Sequence, residues 1–266
     1  MGEFGWELFG WQAFMRALNE QFKPEDFVCV TRPGRGVLYE DFANVEEISF
    51  NSIGDGFRSH SCDITQEQAD AVYSKYEGYT QIPVGWYNYQ GEPLTTAING
   101  KMQQLAPIFH AYGQDAPLDG YDLLFHMRDR KHLRTEDNWE RDKWETVYAW
   151  CCMNGISVGF IGSRDEALTL DAEDDLRGID LKVLTRYLAG AKMIVGPSSG
   201  PMHLASLCKC PQLVWSGAEK NRIRYEKQWN PFGTQVTYLG EESGGWQPDA
   251  KTVIETIEKT YEFNEV

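Results

Sequence analysis

The hydrophobic pattern is clearest between residues 192 and 217, where apolar runs alternate with a turn and a helix. Residues 193–195 form a short apolar run, 196–201 have the composition of a turn, 202–208 suit a helix, and 212–215 are apolar again. Two strands that are joined through a helix normally lie parallel in one sheet. The pattern therefore predicts a buried strand, turn, helix, strand unit.

The periodicity predicts further elements on both sides of this unit. Short apolar runs predict strands at 27–31, 47–50, 121–125, 156–161 and 235–239. Apolar residues at helical spacing predict helices from near Glu7 and at 37–43, 65–76, 94–112, 138–154, 181–191 and 248–263. The alternation of strands and helices indicates an α/β protein, and the Gly- and Asp-containing segment 113–120 is the best candidate for a linker.

The turn at 196–201 carries the clearest chemical signal. Small hydroxyl residues followed by Gly-Pro at a helix start suit an anion such as phosphate, because the first N–H groups of a helix lack intrahelical partners and the helix dipole is positive there. Ser199 also fits a plain helix N-cap, with Pro201 in the first turn. The two interpretations are compatible. His203 lies one turn into the same helix.

Length and charge limit the class of protein. The 266 residues suffice for two small α/β domains or one large domain. The formal net charge of -15 opposes broad binding to nucleic acid, although local basic patches remain available. The sequence lacks an apolar run of about 18 residues and an N-terminal signal pattern, so we expect a cytoplasmic protein without a membrane span.

A second anion-binding candidate follows the predicted strand 121–125. Residues 126–134 (His-Met-Arg-Asp-Arg-Lys-His-Leu-Arg) form the densest basic segment of this acidic chain. Arginine offers forked hydrogen bonds to a phosphate and lysine offers a point charge. Short basic loops are common, but paired with the turn at 196–201 this one predicts the other half of a diphosphate pocket, with Arg128 as its main ligand.

Two segments resemble a known family. Residues 174–211, with the pattern Gly-Pro-Met-His-Leu-Ala after a strand, resemble the nucleotide-sugar-binding half of GT-B glycosyltransferases of the heptosyltransferase-like, family 9-like group. The His-x-Arg sequence at 126–128 resembles the corresponding segment of heptosyltransferases and of fucosyltransferase-like GT-B enzymes. Ser198 is a departure, because the family frequently has an acidic residue at this position.

The resemblance implies a GT-B fold, in which two Rossmann-like domains face each other across a cleft. Residues 1–113 would form the acceptor-side domain, 120–248 the nucleotide-sugar-binding domain, and 249–266 a C-terminal helix that crosses back to the first domain. The implied activity is metal-independent transfer of a sugar from a nucleotide-sugar to a hydroxyl acceptor, for which we expect a glycan or glycoconjugate. The nucleotide-sugar is a co-substrate, and neither a cofactor nor a metal is expected.

The resemblance also assigns roles to residues. The donor diphosphate would be bound by Arg128, Ser198, Ser199, Gly200, Met202 and His203. The nucleoside would contact Gly162 and Glu166, in the loop after the predicted strand 156–161. A carboxylate near the first turn, Glu7 or Glu3, would deprotonate the acceptor, although a carboxylate near a helix start is also favoured by the dipole alone. Arg32 and Arg35, at the carboxyl end of a predicted strand, are acceptor-side candidates.

Three alternatives to this function remain open from the sequence. The acceptor would be a hydroxymethylated base in phage DNA if the local basic patches outweigh the net charge. The protein would be a sugar epimerase of GT-B type if no acceptor is used. It would be a non-catalytic nucleotide-sugar-binding protein if the N-terminal segment lacks a working base.

Overall fold

The computed structural model describes residues 4–49, 66–80, 82, 94–98, 101–131 and 134–260. The chain divides into two compact units, Met1–His110 and Ala111–Val266. The segment predicted as a linker, 113–120, lies in the second unit, where the Leu118 N–H donates to the Arg186 carbonyl at 2.9 Å. Within the described residues, no helix combines the length and the apolar character that crossing a membrane requires.

The first unit begins with a helical segment whose middle is π-helical. It comprises α1 (Phe4–Trp6), the π-helical turn Glu7–Trp11, and α2 (Gln12–Phe22). Strand β1 (Val28–Thr31) pairs in parallel with β2 (Asn44–Glu47), and α3 (Gln66–Lys75) follows. The inner face of the first helical segment buries the apolar side chains Leu8, Phe9, Phe14 and Leu18.

Three predictions for this unit are wrong. The helix expected at 94–112 is an antiparallel hairpin of β3 (Leu94–Ile98) and β4 (Lys101–Leu105). Its sequence Asn99-Gly100 favours a hairpin, which outweighs the helical spacing of the apolar residues. The helix expected at 37–43 is only a 3-10 turn at Gly36–Leu38, and the strand expected at 47–50 is β2, which ends where the prediction begins.

The second unit is built around a five-stranded, fully parallel sheet with the order β6-β5-β7-β8-β9. Its strands are β5 (Leu123–Phe125), β6 (Val158–Phe160), β7 (Met193–Pro197), β8 (Gln212–Trp215) and β9 (Val236–Leu239). Its helices are α4 (Arg141–Met153), α5 (Leu181–Gly190), α6 (Gly200–Leu207), α7 (Glu219–Ile223) and α8 (Ala250–Thr260). The predicted α/β class and the predicted unit of parallel strands are confirmed.

The core of the second unit is aromatic on one face of the sheet. Trp144 of α4 lies between Trp139 and Trp215, with ring centroids 4.8 and 5.5 Å away. Helix α8 completes this face, since Val253 and Ile257 are fully buried in the same cluster. The crossing of the C-terminal segment to the first unit stays a prediction.

Strand order matters for function because it places the switch point of the sheet. The first strand of the unit, β5, lies between β6 and β7: the chain passes from β5 to β6 on one side and then crosses to β7 on the other side. In open parallel sheets, ligands bind beyond the carboxyl ends of the strands at such a point. The site is therefore expected where the loops after β5 and β7 meet.

Gly113, at the start of the second unit, packs closely against α5, and a substitution there tests how tight this packing is. Gly113 has φ +73, and a Cβ added there would lie 2.1 Å from the Thr185 carbonyl oxygen. We predict that Gly113→Ala lowers the free energy of unfolding by about 3 kcal/mol, because the backbone conformation and the steric overlap both oppose a side chain. Urea denaturation measures the loss.

Gly155→Ala is the matched control. Gly155 has a similar φ, +68, but a Cβ there meets nothing within 4 Å. Its variant should lose only about 1 kcal/mol, the cost of the left-handed conformation. Equal losses in the two variants would show that Gly113 is not held tightly against α5.

Candidate functional site

Two predicted site residues meet at the switch point. Arg128 follows β5, and Ser198 follows β7. The Arg128 Nη1 atom donates a hydrogen bond to the Ser198 carbonyl oxygen at 2.9 Å. The two loops that were predicted to form one pocket are therefore in direct contact.

Arg128 is a buried cation with unused hydrogen-bonding capacity. Its side chain is 3% exposed, Nη2 donates to the Asp137 carbonyl, and the guanidinium lies 4.8 Å from the ring centroid of Trp246. Within the described residues, Nε has no hydrogen-bond partner. Burial, aided by the neighbouring charge of Arg130, lowers the Arg128 pKa to about 9, so the side chain is still a cation at neutral pH.

Ser199 is the N-cap residue of α6, but its hydroxyl does not cap the helix. Its backbone is extended, with φ -168 and ψ 175, and its side chain makes no capping bond. In the part of the chain that the structure describes, the buried Oγ has no partner. Ser199 thus occupies the predicted N-cap position without a capping bond from its side chain, and Pro201 lies in the first turn as predicted. Buried hydroxyl groups normally have a hydrogen-bond partner, so this one stands out as a candidate ligand-binding group.

His203 and Met202, also predicted as diphosphate ligands, lie in the packed interior. The His203 ring stacks on Tyr225, with centroids 4.4 Å apart, and meets Trp229 edge-on at 4.6 Å. Burial and the nearby Arg224 lower the His203 pKa to about 3, so the imidazole is neutral at physiological pH. Met202 is fully buried, and its side chain packs near Gly196. Any contribution of Met202 to an anion site comes through its backbone.

Tyr225 is a site residue that the sequence analysis missed. It lies in the π-helical turn Arg224–Gln228, and its side chain is fully buried. Its hydroxyl accepts a hydrogen bond from the Ser199 N–H at 3.1 Å and lies 3.2 Å from Ser198 Oγ. A lone aromatic residue in a segment rich in Lys and Arg gave no signal that it reaches the turn after β7.

His126 belongs to the His-x-Arg pattern of the sequence analysis, which gave it no role of its own. It is buried at the end of β5, with Nδ1 3.2 Å from the Ile161 carbonyl, and burial lowers its pKa to about 4. A Cβ on Gly196 would lie 2.9 Å from the His126 carbonyl oxygen, and one on Gly162 would lie 3.1 Å from Nδ1. Glycine at both positions lets the loops after β6 and β7 approach this neutral histidine.

The predicted nucleoside residues lie beside the Arg128 loop. Gly162 follows β6 with φ +132, a conformation that favours glycine. The Glu166 carbonyl accepts a hydrogen bond from the Asp129 N–H at 2.7 Å. The loops after β5, β6 and β7 thus converge at one edge of the sheet, and the roles of Gly162 and Glu166 stay predictions.

In the first unit, the predicted base and one predicted acceptor-side residue form an ion pair. Glu7, in the π-helical turn, is 3% exposed and pairs with Arg35. The Glu7 carboxylate also accepts hydrogen bonds from Thr31 Oγ1 at 2.6 Å and from the Tyr39 hydroxyl at 2.9 Å. These partners fix the carboxylate in one orientation, whereas its role in catalysis stays a prediction.

For the other two candidates of the first unit, Arg32 and Glu3, the structure gives fewer contacts. Arg32 is partly buried directly after β1. Glu3 lies outside the described residues. Among the residues that the structure does describe, no group of His, Cys, Asp and Glu side chains has the arrangement of a metal site, and metal independence stays a prediction.

Comparison with known proteins gives likenesses in structure only. No protein-family model matches the chain, and no curated protein matches it. The structure is similar to the glycosyl transferase family 9 protein from Veillonella parvula DSM 2008, with 15% identity and a TM-score of 0.40 over 54% of this chain and 47% of that chain. The present chain thus spans about half the length of that protein.

Two further structures are heptosyltransferases. E. coli heptosyltransferase WaaC with ADP has 14% identity and a TM-score of 0.43, over 94% of this chain and 78% of that chain. The dodecameric iron-containing heptosyltransferase TibC in complex with ADP-D-beta-D-heptose has 14% identity and a TM-score of 0.48, over 90% and 60%. These proteins have the names of the group that residues 174–211 resemble in sequence.

The buried histidines generate a prediction for stability against pH. The folded state keeps His203 and His126 neutral, with pKa values of about 3 and 4, whereas an unfolded histidine titrates near pH 6.5. Below that pH the unfolded state binds protons first, so stability should fall with decreasing pH by about 1.4 kcal/mol per pH unit for each histidine.

His203→Gln removes one of these groups. The slope of unfolding free energy against pH, measured by urea denaturation between pH 6 and 4, should become shallower by about 1.4 kcal/mol per unit, and it should be unchanged above pH 7. An identical slope in the variant and the parent would mean that His203 is protonated in the folded protein.

Proposed function

We propose that the second unit binds the diphosphate of a nucleotide-sugar and that the protein transfers the sugar to a hydroxyl acceptor. The observation that carries the proposal is a pair of buried polar groups, Arg128 Nε and Ser199 Oγ, that have no partner within the described residues. Both belong to the loops that meet at the switch point. Leaving such groups unpaired costs about 1–3 kcal/mol each, which a bound ligand would recover.

The charge of the site supports an anion as this ligand. Arg128 is joined at the site by Arg134, whose guanidinium lies 5.0 Å from the same Trp246 ring, and by Arg130. The nearby carboxylate of Asp137 is already paired with Arg134. Helix α6 begins at Gly200 and directs the positive end of its dipole to the same turn.

The position of the site supports a nucleotide rather than a small inorganic anion. The loops after β5, β6 and β7 converge there, and nucleotides bind at this point of open parallel sheets. The sequence resemblance to GT-B glycosyltransferases narrows the nucleotide to a nucleotide-sugar. We extend the proposal to the GT-B arrangement of two Rossmann-like domains across a cleft, and to a cytoplasmic location.

Transfer would proceed through a transition state in which the sugar has oxocarbenium character. The bond between the anomeric carbon and the diphosphate oxygen breaks, and its electron pair leaves with the diphosphate, which Arg128 and the α6 N-terminus stabilise. The acceptor oxygen forms the new bond to that carbon, and its proton passes to Glu7. In this proposal the fixed charge of Arg128 stabilises the leaving diphosphate without a metal ion. The acceptor is a glycan or glycoconjugate.

The donor site is tested by thermal unfolding in the presence of ADP, GDP, UDP and their sugar conjugates. A ligand at a hundredfold its dissociation constant should stabilise the protein by about 2.7 kcal/mol. Arg128→Lys, which keeps a charge but loses the fork, should bind the same ligand about tenfold more weakly. Arg141→Lys is the control, because Arg141 is an exposed residue of α4 that pairs with Glu145. Equal affinity of both variants would contradict the assignment of Arg128.

The base is tested with Glu7→Gln, which keeps the size of the side chain. We predict unchanged affinity for the nucleoside diphosphate and a fall in transfer rate of about 10²–10⁴-fold, the range expected for loss of a general base. Glu20→Gln, at an exposed position of α2, is the control. The proposal is contradicted if the protein consumes the donor without forming a glycosylated product and Glu7→Gln leaves that rate unchanged.

A further inference from the structure

We infer that Tyr225 is a positioning residue of the donor site, which turns the hydroxyl of Ser198 into a hydrogen-bond donor for the diphosphate. The inference rests on the proposed function. It concerns a residue more than twenty positions beyond the predicted diphosphate ligands in sequence, whose hydroxyl contacts the turn that connects β7 and α6.

The ring of Tyr225 is fixed in place. It is fully buried, stacks on His203 at an interplanar angle of 16°, and lies 6.3 Å from the ring of Tyr238. Trp229 meets the His203 ring edge-on, with the centroids 4.6 Å apart. A phenol that is held in this way has no path to swing out when a ligand arrives, so its hydroxyl stays against the turn in both states.

The hydroxyl has a defined polarity. Its oxygen accepts a hydrogen bond from the Ser199 N–H at 3.1 Å, which leaves its own hydrogen to donate. Of the two acceptors within reach, Ser198 Oγ at 3.2 Å is nearer than the Ser199 carbonyl at 3.5 Å. The phenol therefore donates to Ser198 Oγ.

This polarity determines what Ser198 offers a ligand. A serine hydroxyl has one hydrogen and two acceptor positions. Because Tyr225 fills an acceptor position, the Ser198 hydrogen is left to donate to an anion oxygen. The same residue supplies the carbonyl that Arg128 binds, so Ser198 is held from both sides. A hydroxyl in this state suits a diphosphate, because phosphate oxygens accept hydrogen bonds.

The phenol also completes the backbone of the turn. The Ser199 N–H lies before the helix, where no intrahelical carbonyl accepts it. The Tyr225 hydroxyl accepts the hydrogen bond of this N–H at 3.1 Å and so anchors the backbone of the turn. Tyr225 thus acts through Ser198 and Ser199, and does not itself contact the ligand.

The test is a double-mutant cycle on ligand affinity. Tyr225→Phe removes only the hydroxyl and keeps the stacked ring, and Ser198→Ala removes the hydroxyl that Tyr225 orients. Isothermal titration with inorganic pyrophosphate, ADP, GDP and UDP gives the dissociation constants. We expect Tyr225→Phe to weaken binding of the preferred diphosphate by about fivefold to tenfold. In the Ser198→Ala background, the same change should weaken binding by less than about twofold.

A purely structural role would lower the thermal stability of Tyr225→Phe without changing these dissociation constants. Tyr121→Phe is the matched control, since it removes a tyrosine hydroxyl that bonds to Asp174 at 3.0 Å, at the opposite, amino end of β5. Its affinity should equal that of the parent protein.

The outcomes separate this inference from the proposed function. If the parent protein binds none of the four probes, both are wrong. If it binds one of them through Arg128, but Tyr225→Phe binds equally well, the inference alone is wrong. It is also wrong if Tyr225→Phe weakens binding by the same factor in both backgrounds, because the phenol would then act independently of Ser198.

Discussion

The hydrogen bond from the Arg128 guanidinium to the Ser198 carbonyl is the contact on which the donor site depends. It joins the loop after β5 to the loop after β7, and these strands are neighbours because the chain crosses from β6, on one side of β5, to β7 on the other side. A buried cation at this position is costly unless its hydrogen bonds are made. The carbonyls of Ser198 and Asp137 satisfy two nitrogens of the guanidinium, and Nε remains for a ligand.

A layer of aromatic side chains makes this arrangement rigid. Trp246 packs under the guanidinium of Arg128, while Tyr225 and Trp229 enclose His203 beneath the α6 turn. Burial keeps the histidine neutral, so the positive charge of the site is concentrated on arginine. An anion approaching the turn therefore meets fixed donors, which lowers the reorganisation needed for binding.

The second unit was largely predictable from the sequence, for a physical reason. Strands β7 and β8 are buried on both faces and read as mainly apolar runs, and each is followed by a turn that contains Gly and Ser. The contact between Arg128 and Ser198 also followed from placing two anion-binding loops after neighbouring strands. The contact of Tyr225 with the turn after β7 could not be predicted, because it depends on a π-helical turn that the hydrophobic periodicity does not reveal.

The first unit was harder to predict. The residues of the β3–β4 hairpin have apolar positions that fit a helix as well as a strand, and the Asn99-Gly100 sequence was the signal that decides between them. Glu7 was singled out for its position near a helix start, but its three side-chain partners come from β1 and from the loop that follows it. Such tertiary contacts leave no trace in local spacing.

The most direct test of the central claim is a crystal structure of the protein with the nucleoside diphosphate that it binds best. The account predicts a phosphate oxygen within about 3 Å of both Arg128 Nε and Ser199 Oγ, the usual hydrogen-bond distance, with Tyr225 still in contact with the turn. A diphosphate bound elsewhere, with Arg128 still joined only to the carbonyls of Ser198 and Asp137, would contradict it.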